Sequence, residues 1–252
     1  MHRYTFDSAE YATAFTALLE CFDGRERERA FLRDALEPWP RGARAVDWGA
    51  GNGDLTSLLL EHFDRVHAVE PHEGMRAGLA TRCPGARVSG GTVTETLLPE
   101  AVDVGLLSHV LYHLPDAEWG EAIAHAARQL APGGALFVSL KADDTGCNDM
   151  LEHFGAPRFD LRAALAAVES SHPELVAEFE RLPATIATTS LDQTIQVARF
   201  MLCDRDHAAF IRPPTEAEFR AHVRDHYWDE AAQRGGWSCD TLFCTVRRRA
   251  DT

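Results

Sequence analysis

Apolar side chains at helical spacing mark the first part of the chain. Tyr11, Phe15 and Phe22 fall on one face of a helix with 3.6 residues per turn. The pattern predicts a helix over 8–21. A second helix is predicted over 24–36, because two prolines follow it closely.

Beyond residue 40, short apolar runs alternate with helical patterns. Strands that alternate with helices imply crossover connections, so the pattern predicts an α/β fold with a parallel sheet and helices on both faces. We expect strands at 44–48, 66–69, 87–89, 102–108 and 135–140, and helices at 55–62, 74–81 and 119–130.

The regular alternation ends after Leu140. Residues 141–182 have a helical and partly acidic pattern, and the β-branched run 185–189 predicts a sixth strand. A helical stretch over 191–228 then precedes a last strand at 240–246. The predicted organisation is therefore N-terminal lid helices over 1–40, a ligand-binding core over 41–140 and a C-terminal part over 141–252 that completes the sheet with helical insertions.

Composition and charge narrow the function classes. The 252 residues carry a formal charge of −14, and nucleic-acid binding needs a basic surface that releases counterions from phosphate, so we expect no nucleic-acid partner. Six cysteines form no C-x-x-C pair and twelve histidines form no ligand motif, so no metal is expected. No apolar run approaches the ~20 residues that span a bilayer, and no leader is recognised. We expect a cytoplasmic protein without a membrane partner, and the oligomeric state stays open.

A glycine-rich loop follows the first predicted strand and opens the next helix. Glycines let the backbone approach a ligand closely, and the helix N-terminus offers free N–H groups. A tight turn without a ligand uses glycines as well. The G-x-G-x-G spacing also differs from the G-x-G-x-x-G of dinucleotide-binding proteins. The candidate contacts are Asp47, Gly49, Ala50, Gly51 and Gly53.

The second predicted strand ends in Val69-Glu70-Pro71. An acid about 20 residues beyond a glycine loop is positioned to accept hydrogen bonds from two ribose hydroxyls. Glu70 is therefore the leading candidate for nucleoside binding, and a solvated strand-end carboxylate is the alternative. Pro71 is a further candidate contact of the same ligand, and Met75 is a candidate to pack against the base, although it fits a core position equally well.

These motifs resemble those of class I methyltransferases, over residues 44–140. The strand that ends in Ser108-His109 and the turn Pro132-Gly133-Gly134 match further motifs of that family. The resemblance implies a Rossmann-like fold with a seven-stranded, mostly parallel sheet and S-adenosyl-L-methionine as cofactor. It places Ser108 and His109 beside the sulfonium and Thr92, where the family usually has Asp, at the adenine edge. An NAD-dependent dehydrogenase is the alternative, which the glycine spacing and the Pro-Gly-Gly turn disfavour.

Most of the chain also resembles, more distantly, the histamine N-methyltransferase-like branch of the family. That resemblance implies that the methyl acceptor contacts Tyr112 and His113 after the fourth strand, and that histamine itself is not the acceptor, because Cys147 and Leu151 replace two tryptophans of that enzyme. The same resemblance implies that Tyr11, Phe15 and Asp240 also bind the acceptor. We add Phe159 and Phe200 as candidates to line the same cavity.

Methyl transfer requires the protein to align the acceptor and to exclude water. His113 is the candidate catalytic acid or base, since imidazole titrates near neutrality, and Tyr112 is the candidate for orienting the acceptor. His109 is a second candidate base, or it holds a backbone position. The predicted acceptor is a small molecule with an amine nitrogen. A hydroxyl or carboxyl oxygen is the alternative, and a non-catalytic cofactor-binding protein is the third. The Arg-rich, Ala-rich composition indicates a GC-rich bacterial genome, which suits natural-product tailoring.

Overall fold

The computed structural model describes residue 4 and residues 8–203 and 210–249. The helices in this part of the chain are α1 (Ala9–Cys21), α2 (Arg25–Leu36), α3 (Asp54–His62), α4 (Glu73–Arg82), α5 (Trp119–Arg128), α6 (Gly146–His153), α7 (Leu161–Ser171), α8 (Leu191–Cys203) and α9 (Glu216–Tyr227). The strands are β1 (Arg44–Trp48), β2 (Arg65–Val69), β3 (Arg87–Ser89), β4 (Val102–Ser108), β5 (Leu130–Lys141), β6 (Leu175–Leu182), β7 (Thr185–Thr188), β8 (Trp228–Asp229), β9 (Arg234–Ser238) and β10 (Thr241–Arg248).

The chain forms two compact units, each assembled from three stretches of sequence. Unit 1 holds the described residues of segments 1–28, 141–160 and 181–241. Unit 2 holds those of segments 29–140, 161–180 and 242–252. The two units are therefore interleaved along the sequence.

Unit 2 carries a seven-stranded sheet in the order β3-β2-β1-β4-β5-β10-β6. Strand β1 pairs in parallel with β2 and β4, β2 pairs in parallel with β3, and β4 does so with β5. Ala45, Val46 and Trp48 of β1 are at most 1% exposed, as expected for a parallel strand covered on both faces. The predicted Rossmann-like fold, with seven mostly parallel strands and flanking helices, is confirmed.

The order of the strands indicates where a ligand binds. From β1 the sheet continues to β2 and β3 on one side and to β4 and β5 on the other. In open α/β sheets, ligands bind at the carboxyl ends of the strands where the order reverses in this way. The predicted residues 49–53, 70 and 109 lie in the loops after β1, β2 and β4, and Ser108 is the last residue of β4.

The predicted helical pattern over 141–182 is wrong in its last part. Helices α6 and α7 occupy much of the segment, but Leu175–Leu182 is β6, the edge strand of the large sheet. Exposed Glu178 and Glu180 flank half-buried Phe179, and this alternation has the period of a strand. The acidic side chains, which are also typical of a solvated helix face, concealed that period.

The run at Thr185–Thr188 is a strand, but it is not the sixth strand of the large sheet. It is β7, the first strand of a separate antiparallel sheet in unit 1 with the order β7-β9-β8. Strands β8 and β9 were not predicted, because β9 contains two glycines, which are depleted in strands. Gly236 lies against the carbonyl of Ile186 with φ +151, so a side chain there would obstruct the pairing.

Two helix starts show how the sequence sets local boundaries in unit 1. The Ser8 Oγ accepts a hydrogen bond from the Tyr11 N–H at 3.0 Å and begins α1 where a cap residue predicts it. Thr215 and Glu218 form a reciprocal capping box at the start of α9. Within the described ranges, the structure has no helix whose length and apolar character suit a membrane crossing.

Candidate functional site

Asp47 lies at the carboxyl end of β1, directly before the glycine loop. It is 2% exposed, and its Oδ2 accepts a hydrogen bond from the Thr56 hydroxyl of α3 at 2.6 Å. Burial raises the pKa of Asp47 to about 6, against the opposing effect of the Thr56 hydrogen bond. Asp47 therefore joins the end of β1 to α3 and is an easily protonated carboxyl group.

The three loop glycines all have positive φ, at +72 for Gly49, +54 for Gly51 and +85 for Gly53. An added Cβ on Gly49 would collide with Val110, and one on Gly53 would lie 2.7 Å from a Leu79 methyl group. A Cβ on Gly51 would meet no atom closer than 3.9 Å. Gly49 and Gly53 are thus required by packing, whereas Gly51 faces open space.

Glu70 bridges the glycine loop and the start of α4. It is 3% exposed. Its Oε2 accepts a hydrogen bond from the Gly51 N–H at 2.8 Å, and its Oε1 accepts one from the His72 N–H at 2.9 Å. The N–H groups of Gly49 and Ala50 donate to the Val69 carbonyl, which holds the loop against β2. Each carboxylate oxygen retains a further lone pair for a ligand hydroxyl.

These features fit a ligand in which a nucleoside is joined to an amino acid. The open position at Gly51 leaves room for a ligand beside bare backbone. The buried Glu70 carboxylate, held by two backbone N–H groups, lies at the end of the adjacent strand. A vicinal diol pairs well with such a carboxylate, and a cationic ligand is favoured near two acidic groups.

The residues predicted to surround the base are arranged around β2 and β3. Pro71 is exposed and Met75 is partly buried at the start of α4. The Thr92 hydroxyl donates to Glu95 at 2.9 Å and caps the following turn, so it already has a structural role. Sequence reasoning missed Arg76, whose guanidinium donates to the Glu70 carbonyl at 2.9 Å.

Two serine hydroxyl groups link the central strands β4 and β5. Ser108 of β4 and Ser139 of β5 share a hydrogen bond of 2.7 Å between their hydroxyl groups. The next residue, His109, has φ +56 and donates its N–H to the Ser139 carbonyl. Its ring lies nearly parallel to that of Tyr112, at 5.9 Å between centroids.

His113 ends the short 3-10 turn Leu111–His113 after β4. Solvent reaches this residue, but the protein packed around its imidazole lowers its pKa by desolvation, and His72 adds to the effect. A histidine with a lowered pKa is neutral at pH 7 and can accept a proton. The geometry therefore suits the predicted role as base.

The other predicted acceptor-binding residues belong to unit 1. The structure brings three of them together in one aromatic cluster, in which Tyr11 and Phe15 of α1 lie 5.1 and 5.8 Å from Phe200 of α8 between ring centroids. Tyr4 joins the same cluster at 6.4 Å from Phe200. Tyr11 and Phe15 are partly exposed, so both offer surface to a ligand.

Cys147, Leu151 and Phe159 are core residues of unit 1. Their exposed fractions are 3%, 0% and 1%. The buried Asn148 fixes this region, because its Oδ1 accepts from the Phe159 N–H at 2.8 Å and its Nδ2 donates to the Ala142 carbonyl. Contact of these three residues with an acceptor stays a prediction, and it requires a rearrangement of unit 1.

Asp240 was predicted to pair with a cationic group of the acceptor. In the structure its Oδ2 accepts from Arg181 at 2.7 Å and its Oδ1 accepts from the Ala184 N–H at 2.9 Å. Arg181 also bonds Asp144 at 2.8 Å. Both carboxylate oxygens of Asp240 are therefore engaged by groups of the protein itself.

A histidine cluster in unit 1 was not singled out by the sequence. His222 of α9 stacks on His153 of α6 at 3.7 Å between ring centroids, and His226 lies 4.5 Å from His222. Burial lowers the pKa of His222 to about 4, and both neighbouring imidazoles contribute. Among the residues that the structure describes, no group of three or more His, Cys, Asp or Glu side chains is arranged to hold a metal ion.

Residues 46–138 match the sequence family described as a methyltransferase domain. An uncharacterized methyltransferase of Geobacillus kaustophilus is 34% identical over 97 residues, which are 38% of this chain and 45% of that protein. A trans-aconitate 2-methyltransferase of Methylobacterium nodulans is 28% identical over 197 residues, which are 76% of this chain and 72% of that protein.

A solved structure shares the fold. The N-methyltransferase NodS from Bradyrhizobium japonicum, in complex with S-adenosyl-L-homocysteine, aligns with a TM-score of 0.56 at 15% identity, over 96% of this chain and 99% of that chain. This chain spans about half the length of the first curated relatives that it matches.

Residues 46–138 match the kind of domain that the motifs predict, and the solved structure confirms the predicted Rossmann-like fold. An enzyme domain of this kind is what the glycine loop and Glu70 indicated, with S-adenosyl-L-methionine as the expected cofactor. The narrower resemblance to the histamine N-methyltransferase-like branch stays a prediction.

Proposed function

We propose that this protein is an S-adenosyl-L-methionine-dependent methyltransferase that acts on a small molecule. The observation that carries the proposal is the buried Glu70 carboxylate, which accepts the Gly51 N–H at 2.8 Å at the carboxyl edge of the parallel sheet. The match of residues 46–138 to a methyltransferase domain supports it.

The loops after β1 and β2 would hold the cofactor. Glu70 would accept hydrogen bonds from the ribose hydroxyls, and the backbone around Gly51 would lie beside the amino-acid end. Pro71 and Met75 would pack against the base. When bound, the cofactor would supply a methyl group activated by a sulfonium. The negative charge of the nearby carboxylates favours binding of this cation.

The chain's own part in catalysis is then to orient the acceptor, to exclude water and to take up a proton. Tyr112 and His113 follow β4, beside the glycine loop that Val110 contacts. A neutral His113 accepts a proton from an amine or a hydroxyl group as the nucleophile is methylated. Tyr112 would orient the acceptor.

Two observations support a carboxylate oxygen as the acceptor atom. The relative that matches 76% of this chain is named a trans-aconitate 2-methyltransferase, and trans-aconitate is a carboxylic acid. In addition, both carboxylate oxygens of Asp240 already accept hydrogen bonds, from Arg181 and from the Ala184 N–H, which leaves Asp240 less available to a cationic acceptor. A carboxylate is ionised at pH 7 and needs no base to become nucleophilic.

An amine nitrogen, the acceptor predicted from the sequence, is the second candidate. The lowered pKa of His113 favours it, because an amine must lose a proton in the course of methylation and a neutral imidazole can accept that proton. The two candidates therefore differ in their need for His113.

Binding of S-adenosyl-L-homocysteine, measured by titration calorimetry, tests the cofactor site. We expect Glu70→Ala to raise the Kd at least about tenfold, because two charge-assisted hydrogen bonds are lost. Glu73→Ala, an exposed acid three residues further on at the start of α4, should leave the Kd unchanged. Equal affinity of the Glu70→Ala variant and the wild type would refute the site.

Transfer of a labelled methyl group to panels of carboxylic acids, amines and phenols tests the reaction. A methyl ester as product would support the carboxylate acceptor, and its formation should survive His113→Gln. An N-methyl product whose rate falls with His113→Gln would support the amine. Cofactor binding without turnover on any panel would support a non-catalytic binding protein instead.

A further inference from the structure

The turn after β4 depends on one residue with a left-handed backbone. His109 has φ +56, and among the described residues only Gln233 is another non-glycine residue with positive φ. Glycine adopts this conformation without steric strain, whereas a residue with a Cβ does not. The histidine is therefore held there at a cost in strain, which points to a role for its side chain.

This conformation redirects the chain over a short distance. The His109 N–H still donates to the Ser139 carbonyl at 3.0 Å, as a continuation of the ladder between β4 and β5. The next residue, Val110, is already right-handed at φ −93 and contacts Gly49 of the glycine loop. The His113 N–H then donates to the Val110 carbonyl at 3.0 Å and closes the 3-10 turn.

The side chain of His109 faces the same turn. Its imidazole lies 5.9 Å from the Tyr112 ring between centroids, with 13° between the ring planes. Offset parallel rings at such a distance attract each other. Both residues are partly buried, so the contact limits the orientations of the Tyr112 ring.

We propose that His109 is a positioning residue: its left-handed backbone starts the turn that presents Tyr112 and His113, and its ring fixes the orientation of Tyr112 toward the methyl acceptor. In this proposal His109 acts through Tyr112, in place of the roles as second base or cofactor contact that the sequence predicts. The proposal rests on the proposed methyltransferase function, because it assigns Tyr112 to the acceptor.

His109→Gly separates the two parts of this role. Glycine keeps the left-handed turn and removes the ring, so we expect a folded variant whose Tm is not below that of the wild type. Its Kd for S-adenosyl-L-homocysteine should be unchanged. The KM for the acceptor found in the panels should rise about tenfold, because the acceptor is no longer aligned. His109→Asn, which also tolerates the left-handed region, should behave like the glycine variant.

A double-mutant cycle tests whether His109 acts through Tyr112. The variant His109→Gly with Tyr112→Ala should lose no more activity than Tyr112→Ala alone. Additive losses would overturn the proposal. Gln233→Gly is the matched control, since it relieves a left-handed residue of unit 1 and should leave the acceptor KM unchanged.

A spectroscopic measurement keeps the test independent of turnover. With fluorotyrosine incorporated, the 19F resonance assigned to Tyr112 by Tyr112→Phe should shift or broaden in His109→Gly, while the other tyrosine resonances stay in place. An unchanged resonance would overturn the proposal even if no acceptor is found. If the wild type fails to bind S-adenosyl-L-homocysteine, the proposed function fails, whereas normal binding with an unperturbed Tyr112 rejects only the role of His109.

Discussion

Replacing Asp47 by Asn should remove a pH dependence of stability that this one side chain creates. Burial raises the pKa of Asp47 to about 6 from 3.8. Between these values the folded state binds the proton more tightly than the unfolded chain does, so the free energy of unfolding falls as the pH rises from about 4 to about 6. The full effect is about 3 kcal/mol, of which about 2 kcal/mol falls between pH 4.5 and pH 7.5.

The variant cannot ionise at this position, and its amide oxygen can still accept the Thr56 hydroxyl. The difference in the free energy of unfolding, variant minus wild type, should therefore increase by about 2 kcal/mol from pH 4.5 to pH 7.5, whatever constant offset the buried amide adds. In a chain of this size that increase corresponds to about 4–8 °C in Tm.

Thermal unfolding at the two pH values measures this difference. Asp192→Asn, an exposed aspartate of α8, is the matched control and should change by less than about 0.5 kcal/mol. If the difference for Asp47→Asn is the same at both pH values, Asp47 is already ionised in the folded protein at pH 4.5, and the burial argument is wrong.

Three further variants test separate parts of the site and of unit 1. Gly53→Ala should lower the free energy of unfolding by about 2–3 kcal/mol, because the added methyl group crowds Leu79, and thermal unfolding measures this loss. Gly51→Ala should lower the free energy of unfolding by less than Gly53→Ala does, and calorimetry should show that it weakens the binding of S-adenosyl-L-homocysteine. If His113 is the base, the acidic limb of the pH–rate profile should lie below pH 6.5, and a limb above that value would contradict the desolvation of its imidazole. Because the pKa of His222 is lowered in the folded protein, the unfolded chain takes up a proton there first, and the protein should become less stable as the pH falls below about 6.5. The drop in Tm from pH 7 to pH 5 should therefore be smaller in His222→Gln than in the wild type.

The part of the fold that could be predicted is the part in which neighbouring elements follow each other along the chain. The buried apolar runs of β1 and β4 and the helices between them have clear periods, and their parallel pairing follows from the crossover connections. Glu70 could be predicted for the same reason, because a short strand fixes its distance from the glycine loop.

The remainder depends on contacts between residues far apart in sequence. The pairing of β7 with β9 places Thr185 opposite Ser238, and no local sequence pattern predicts this pairing. Arg181 and Asp240 bond across 59 positions, so an acid that looked available for an acceptor is engaged. Arg76 likewise gave no signal, since it binds backbone carbonyl groups, which every sequence offers.

Interleaving of the two units has a consequence for any shortened form of the protein. The stretch that matches the methyltransferase family ends at residue 138, but β6 and β10, which complete the sheet beyond β5, come from residues 175–182 and 241–248. A fragment that stops near residue 140 would lack β10, the neighbour of β5, and would leave the backbone N–H and C=O groups along that edge of β5 without a partner strand. Such an edge recruits other strands and aggregates. The segment that matches the family therefore does not contain the whole sheet. A shortened form of this protein has to keep residues 175–182 and 241–248 as well.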